Sequence, residues 1–139
     1  MIPPVGSSHL DFVFDYSVII PAYNEEDYLA KTLESLKNSL NSLNQFCGEI
    51  ILVDNQCTDQ TVQIAKKFGC TVVRESVRQI AKVRNTGART ARGRYLIFLD
   101  ADTLVLPDTL SQAVNALASG LVGCGGACLD FDQDHSRLF

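Results

Sequence analysis

The segment LIFLDADTLVLP, residues 96–107, places a hydrophobic run directly before two carboxylates. A continuous apolar run of this kind is typical of a strand covered on both faces. Asp100 and Asp102 follow at its end, and alternate residues of an extended chain point to the same side. Two adjacent carboxylates repel each other unless a cation or a proton lies between them. The segment therefore indicates either an acidic turn or a strand that delivers two carboxylates to a metal ion.

Strands and helices are predicted to alternate along the whole chain. The predicted strands are residues 16–22, 49–54, 70–75 and 94–100, with a weaker, glycine-containing fifth strand at 121–131. The predicted helices are one capped by Asn24 and reaching Leu43, one at 58–68 stopped by Gly69, one at 78–92 stopped by Gly93, and one opened by Pro107. This order predicts an α/β fold with a mostly parallel, Rossmann-like sheet flanked by helices.

Composition limits the class of protein and its partners. The 139 residues suit a single domain, and the net charge of -4 argues against nucleic-acid binding. Five cysteines form an odd set without paired CxxC spacing, which favours reduced thiols and a cytoplasmic location. The uncharged stretch 109–129 contains polar residues and glycines, so it is interpreted as a helix and a strand rather than a membrane span.

Polar side chains follow three of the predicted strands. Asn24, Asp54 and Asp100 each lie at or just after the end of a predicted strand. Ligands of parallel α/β sheets bind at the carboxyl ends of the strands, so these three side chains are expected to meet at one site. Asp54 can accept a hydrogen bond from a ring N–H or a ribose hydroxyl. Aspartate oxygens suit Mg2+ or Mn2+ and leave coordination positions open for phosphate oxygens.

The basic segment SVRQIAKVRNTGA, residues 76–88, is a candidate for binding a diphosphate. Arg78, Lys82 or Arg84 could neutralise its charge, and an arginine fork matches phosphate geometry well. Only one or two of these side chains can face a site on the same side of a helix. A solvated helix face is the alternative interpretation of this basic cluster.

Four segments in order resemble a family 2 glycosyltransferase of the GT-A fold. They are SVIIPAYNEEDYLAKTLESL, EIILVDNQCTDQT, VRNTGARTARGRYLIFLDADT and LPDTL, and the resemblance runs from about Tyr16 to Asp130. It implies an inverting transfer from a UDP- or GDP-linked sugar, assisted by Mg2+ or Mn2+. The corresponding domain boundaries are a leader at 1–15 with no assigned element, a donor-binding domain at 16–131 and a tail at 132–139.

The resemblance also implies roles for individual residues. The nucleoside would be held by Asp54 and by the loop Pro21, Ala22, Tyr23, Asn24 and Glu25. The donor site would be lined by Arg84 and Asn85, with Arg78 as a further candidate for the phosphates. Asp100 would approach the ribose or the metal, Ala101 would lie beside it, and Asp102 would bind the metal joined to the diphosphate.

Some features of the family pattern are missing or changed. The catalytic base of the family usually lies well downstream of the paired aspartates, and this sequence ends 37 residues after Asp102. The base and the acceptor-binding half are therefore expected to lie outside it. Asn55 and Cys57 stand where the family often has Asp and Ser, and Cys57 is interpreted as a small packing residue. Exposed surface left by the missing half would favour a homodimer or low solubility.

The sequence does not specify the acceptor of the sugar, and it allows two other classes of protein. The acceptor could be a lipid phosphate, a growing polysaccharide or a protein, and a lipid-linked acceptor would bring the chain to the inner face of the membrane. One alternative is a metal-dependent nucleotide-sugar-binding module that is inactive alone. Another is a nucleotidyltransferase, which should carry a basic, Gly-rich loop where this chain has the acidic PAYNEED, residues 21–27. The acidic tail is rejected as a calcium loop because His135 occupies the position that requires glycine.

Overall fold

The computed structural model describes residues 12–127, in which strands and helices alternate. The elements are β1 (Phe14–Ala22), α1 (Leu29–Leu40), β2 (Gly48–Asp54), α2 (Thr61–Lys67), β3 (Thr71–Arg74), α3 (Ile80–Thr90), β4 (Gly93–Phe98) and α4 (Thr109–Ala118). All strand pairs are parallel, and the sheet order is β3-β2-β1-β4. The predicted α/β fold is therefore confirmed, and β1 begins two residues inside the predicted leader.

Helices cover the two faces of the sheet unequally. The larger core lies on the face packed by α1, α2 and α4 and includes the fully buried stripe of α1, Leu29, Leu33 and Leu36. The smaller core lies on the other face, where α3 is the one helix of residues 12–127 that packs, and it is formed around Ile19 and Val83. Burial of these apolar side chains is the main source of stability. No helix within residues 12–127 is long and apolar enough to cross a membrane.

Helix α3 packs unusually close to the sheet at Gly87. A Cβ atom at this position would lie 2.4 Å from Ile19 Cγ2 and 2.9 Å from Val53 Cγ2. Only glycine allows this approach. The contact fixes the height of α3 on the sheet, and therefore the position of its first turn beside the carboxyl ends of the strands.

Within residues 12–127, strand β4 is well covered on one face only, which corrects the expectation of a strand covered on both. Phe98 pairs with Ile19, so Leu96 and Phe98 face the same side as α3. They are 42% and 45% exposed because α3 packs mainly on β1, β2 and β3, and over β4 it places the Arg84 guanidinium 6.0 Å from the centre of the Phe98 ring. In a strand like this, a continuous apolar run does not by itself show that both faces are buried.

Two predicted helix boundaries are also corrected. Asn24 does not cap α1, which begins at Leu29 after Tyr28 and has no side-chain cap. Asn24 instead adopts a left-handed φ of 53° and bonds to Thr58. Gly93 does not stop a helix with a left-handed turn; α3 ends at Thr90, and Gly93 begins β4. A Cβ at Gly93 would lie 2.4 Å from a backbone atom of β1, which explains the glycine.

The predicted fifth strand is wrong where the structure describes it. Residues 121–127 contain no strand and are all exposed. A Cβ atom added at Gly123, Gly125 or Gly126 would meet no atom within 4 Å, and Leu121 is 89% exposed. Glycine-rich sequence offers few side chains to pack on a neighbouring strand, so the apolar residues there do not suffice. The rest of the predicted strand and the acidic tail lie outside the described residues.

Candidate functional site

A cleft of about 450 Å3 opens at the carboxyl edge of the sheet. The chain runs from β1 through β2 to β3 on one side, and β4 then joins β1 on the other side. Such a reversal opens a crevice beyond the strand ends, where ligands of α/β sheets bind. The cleft is lined by Pro21, Ala22, Tyr23, Glu25, Asn55, Arg78, Gln79, Ile80, Val83, Asp100, Ala101 and Asp102.

Most of the residues proposed from the sequence meet in this cleft. Those that line it are Pro21, Ala22, Tyr23, Glu25, Arg78, Asp100, Ala101 and Asp102. Those that do not are Asn24, Asp54, Arg84 and Asn85. Arg84 nevertheless reaches the cleft through its partner Asp100, and Asn24 and Asp54 support the loops behind it. Asn85 is exposed on α3 and has no such connection.

The loop after β1 is fastened to the loop after β2. Asn24 Oδ1 accepts a hydrogen bond of 2.8 Å from the backbone N–H of Thr58, and the backbone N–H of Glu25 donates to Thr61 Oγ1 at 2.8 Å. One residue further on, the N–H of Glu26 donates to Asp59 at 3.1 Å. These bonds satisfy polar groups that a tight loop would otherwise leave unpaired. They hold the wall formed by residues 21–25 in place.

Asp54 and Cys57 form the turn behind this wall. Asp54 Oδ1 accepts the N–H of Cys57, three residues further along the chain, at 2.7 Å. The Cys57 thiol packs against the larger core and bonds to the carbonyl of Ala22 at 3.4 Å. Burial, with the nearby carboxylate of Asp54, raises the pKa of the Cys57 thiol to about 11. The interpretation of Cys57 as a packing residue is thus confirmed.

Three carboxylates face the cleft. Glu25 stands opposite Asp100 and Asp102; burial, then the charges of Asp102, Asp59 and Asp100, raise the pKa of Glu25. The turn that carries the aspartates is anchored by Ala101, whose carbonyl accepts a 2.8 Å bond from Thr32 of α1. Within residues 12–127, no three Asp, Glu, His or Cys side chains stand close enough to hold a metal ion together. Excess negative charge is nevertheless concentrated at this edge.

Two arginines from the α3 region balance this charge. Arg84 pairs with Asp100 Oδ1 at 3.0 Å, while its Nε is buried without a hydrogen-bond partner. Arg78 lies with its guanidinium 4.2 Å from the centre of the Tyr23 ring and donates to the Tyr23 hydroxyl at 2.9 Å. Stacking on an aromatic face orients a guanidinium without neutralising it. Arg78 therefore keeps its charge available at the cleft.

Four lining residues were not foreseen from the sequence. Ile80 and Val83 lie one turn apart on α3, and Gln79 directly precedes that helix. Asn55 directly follows Asp54 at the end of β2. Its place just beyond a strand end is the same signal that indicated Asp54 and Asp100. Applied to every strand end, that signal would have included Asn55.

A cleft at the carboxyl edge of a parallel sheet is where α/β domains bind ligands, and the relatives of this chain specify its class. The chain matches the Glycosyl transferase family 2 model over residues 17–137. It is 33% identical over 105 residues to TarS, a poly(ribitol-phosphate) beta-N-acetylglucosaminyltransferase of Staphylococcus aureus, covering 70% of this chain and 18% of TarS. It is 40% identical over 121 residues to YfnE, an uncharacterized glycosyltransferase of Bacillus subtilis, covering 78% of this chain and 29% of YfnE.

Solved structures show the same fold. TarS residues 1–349 in complex with UDP superpose with a TM-score of 0.65 and 30% identity, covering 76% of this chain and 32% of that one. The mannosyltransferase PcManGT of Pyrobaculum calidifontis, in complex with GDP-Man and Mn2+, gives 0.69 and 29%, covering 82% and 35%. The chain has the GT-A fold and belongs to glycosyltransferase family 2. It spans about a third or less of these relatives, so their whole activities are not transferred to it by similarity.

Proposed function

We propose that this chain forms the donor-binding part of an inverting glycosyltransferase that uses a nucleotide-diphosphate sugar with Mg2+ or Mn2+. The observation that carries the proposal is the meeting of Tyr23, Arg78, Asp100 and Asp102 in one cleft at the carboxyl edge of the sheet. Support comes from TarS, whose structures include UDP and UDP-GlcNAc complexes, and from PcManGT with GDP-Man and Mn2+. The donor is therefore expected to carry UDP or GDP.

The nucleoside is assigned to the wall at residues 21–25. Tyr23 is 44% exposed and offers a ring face, and Asp54 supports the wall from behind. Asp54 uses one carboxylate oxygen for the N–H of Cys57, which leaves the other for a ring N–H or a ribose hydroxyl. Asn24 serves this wall indirectly, through its bonds to Thr58.

The aspartate pair is assigned to the metal and the ribose. Asp100 and Asp102 supply hard carboxylate oxygens, which are the ligands that Mg2+ and Mn2+ prefer, and two such residues leave positions open for phosphate oxygens. A bound cation would stabilise the charge that develops on the departing nucleoside diphosphate. Arg78 and Arg84 would bind the diphosphate, and the unpartnered Nε of Arg84 is a donor suited to a phosphate oxygen.

The acceptor side of the reaction needs a catalytic base. Inversion requires a base that deprotonates the acceptor hydroxyl on the face opposite the leaving group. Apart from Glu25 and the aspartate pair, the cleft formed by residues 12–127 contains no carboxylate for this role. That observation favours a second candidate, a nucleotide-sugar-binding module that is inactive alone. We propose a lipid-linked or polysaccharide acceptor, and a site of action at the cytoplasmic face of the membrane.

Calorimetric titration tests the donor site directly. UDP and GDP are titrated with and without Mn2+ into the wild-type chain and into Asp102→Ala. One nucleotide is expected to bind in a Mn2+-dependent way, and Asp102→Ala to weaken that binding roughly tenfold or more. Asp108→Ala is the matched control, because it removes the same charge from an exposed position near α4 that does not line the cleft.

The outcomes separate the candidates. Equal losses of nucleotide affinity in Asp102→Ala and Asp108→Ala would show a general effect of charge. If neither UDP nor GDP binds the wild-type chain, the proposed donor site is contradicted. Transfer of the sugar to an added acceptor by the wild-type chain alone would exclude the second candidate, a binding module that is inactive alone.

A further inference from the structure

Asn55 is a buried side chain that crosses from the end of β2 to the next loop. It is 8% exposed, and its backbone N–H donates to the carbonyl of Ala22 at 2.9 Å. Its side-chain Nδ2 donates to two carbonyls, that of Glu75 at 2.7 Å and that of Val77 at 3.1 Å. Both hydrogens of the amide are therefore used by the 75–79 segment, which joins β3 to α3.

Hydrogen bonds, rather than apolar packing, hold the 75–79 segment. Residues 76–79 are all exposed. Glu75 is fixed at its N–H by the carbonyl of Asp54 at 3.0 Å and at its carboxylate by Thr86 of α3 at 2.7 Å. The two bonds from Asn55 are the side-chain contacts that tie this segment to β2. A segment with few buried contacts opens readily when such bonds are lost.

The 75–79 segment carries Arg78, which stacks on Tyr23 at the cleft. We propose that Asn55 is a positioning residue of the donor site: its amide holds the 75–79 segment so that Arg78 faces the diphosphate. The inference rests on the proposed function. It adds to that function a residue that need not contact the nucleotide and acts through the placement of Arg78.

In this chain the contact is made by the N–H groups of an amide. An aspartate at position 55 would keep the shape of the side chain but would present acceptors to the carbonyls of Glu75 and Val77. Carbonyl oxygens facing a carboxylate repel it, and buried acceptors without donors are costly. Asn55→Asp therefore removes the donors alone, whereas Asn55→Ala removes donors and volume. If both variants lose nucleotide affinity to the same extent, the missing N–H groups of the amide are the cause of that loss.

Nuclear magnetic resonance reads the placement of Arg78 without any ligand. The side-chain Nε–H resonance of Arg78 is expected to be shifted by the Tyr23 ring beneath it. In Asn55→Asp and in Asn55→Ala it should move to the position of a solvent-exposed arginine, while the Arg84 resonance stays in place because Arg84 pairs with Asp100. Asn115→Ala is the matched control, since Asn115 is an exposed asparagine on α4 that bonds to Ser111.

Nucleotide titration with Mn2+ then tests the consequence for binding. Asn55→Ala and Arg78→Ala should each weaken binding about tenfold, the effect of one charge-assisted contact. The double variant should bind no more weakly than Arg78→Ala. The proposal is overturned if the double variant loses nucleotide affinity by the product of the two single-variant factors. It is also overturned if the Arg78 resonance stays in place in both Asn55 variants. Failure of the wild-type chain to bind either nucleotide would instead reject the proposed function, while the resonance still reports on Asn55. Should Asn55→Ala fail to fold, Asn55→Asp carries both measurements.

Discussion

Asp100 is held by Arg84 in a contact that a metal ion would have to compete with. The Arg84 guanidinium and the Asp100 carboxylate lie 3.0 Å apart, and the two side chains are 43% and 59% exposed, respectively. Water therefore screens the ion pair, and its contribution to stability is small. Because Asp100 is also assigned to the metal or the ribose, binding of the donor should separate the pair. Arg84 would then be free for the diphosphate, with its Nε gaining a partner.

Arg84→Gln is expected to have opposite effects on two ligands. Binding of Mn2+ alone should tighten about two- to fivefold because Asp100 loses a competitor, which corresponds to the strength of an exposed ion pair. Binding of the nucleotide should weaken about tenfold because a phosphate contact is lost. Paramagnetic resonance of free Mn2+ and calorimetry measure the two constants. Lys82→Gln removes one positive charge from the same helix without touching Asp100, and an equal gain in Mn2+ affinity there would contradict the prediction.

The sequence indicated the paired aspartates at a strand end, but it did not indicate the conformation of Asn24, which depends on a distant loop. Asp100 and Asp102 follow a strand, so their position at the cleft follows from the parallel topology. Asn24 was expected to cap a helix because its residue type allows it, yet its left-handed φ and its bonds to Thr58 depend on a loop 34 residues away. Pairing between distant loops leaves no local signal, so this part of the site required coordinates.

At the scale of elements, the opposite edge of the sheet carries a polar network that supports the fold. The side chain of Glu49 is 7% exposed and joins β1, β2 and the start of β4. Its carboxylate accepts bonds from Ser17 Oγ at 2.8 Å, from the Arg92 backbone N–H at 2.7 Å and from the Arg92 guanidinium at 3.1 Å. Ser17 in turn accepts the N–H of Gly93 at 2.9 Å. The network fixes where β4 begins beside β1.

Glu49 is expected to make stability depend on pH. Burial raises its pKa, but the hydrogen bonds from Arg92 and Ser17 outweigh burial and hold the pKa below its usual 4.5. A lowered pKa in the folded state stabilises the protein above the unfolded value and loses that contribution as the pH falls through the folded value. Glu49→Gln should therefore lower the free energy of unfolding by about 1–2 kcal/mol at neutral pH, with the difference shrinking below about pH 4.5.

Urea unfolding at several pH values measures this difference. Glu34→Gln is the control, because Glu34 is exposed on α1 and the substitution makes the same chemical change. A gap between Glu49→Gln and wild type that stays constant down to acid pH would show that the carboxylate charge does not contribute.

The sequence predicted which segments form strands and helices more reliably than it predicted which of their faces are buried. The β-branched and apolar runs at β1, β2 and β4 predicted strands because their length and flanking turns fit no helix. Burial of β4 is lower than its sequence predicts, since Leu96 and Phe98 are apolar but α3 packs mainly on the other three strands. The glycine-rich run at 121–127 was read as a strand from the apolar residues within it. Which faces are covered depends on where helices pack, and that information is not local.

At the scale of the whole molecule, apolar surface is concentrated around the unpaired side of β4. Leu96 and Phe98 are about half exposed on the α3 face, and Leu104 and Leu106 after the strand are 65% and 73% exposed. Within residues 12–127, β4 pairs only with β1, so its other edge presents backbone groups without strand partners. An open edge beside exposed apolar side chains is a surface that favours association.

The chain is therefore expected to form dimers as its concentration rises. Sedimentation velocity at two concentrations about twentyfold apart should show a monomer and a faster species, because mass action favours association at the higher one. Leu96→Lys should shift the balance toward the monomer, since a lysine beside the edge opposes pairing with a second strand. Thr71→Lys places the same charge on the exposed start of β3, at the other edge of the sheet, and should leave association unchanged. A single species at both concentrations, or equal effects of the two lysines, would contradict association through β4.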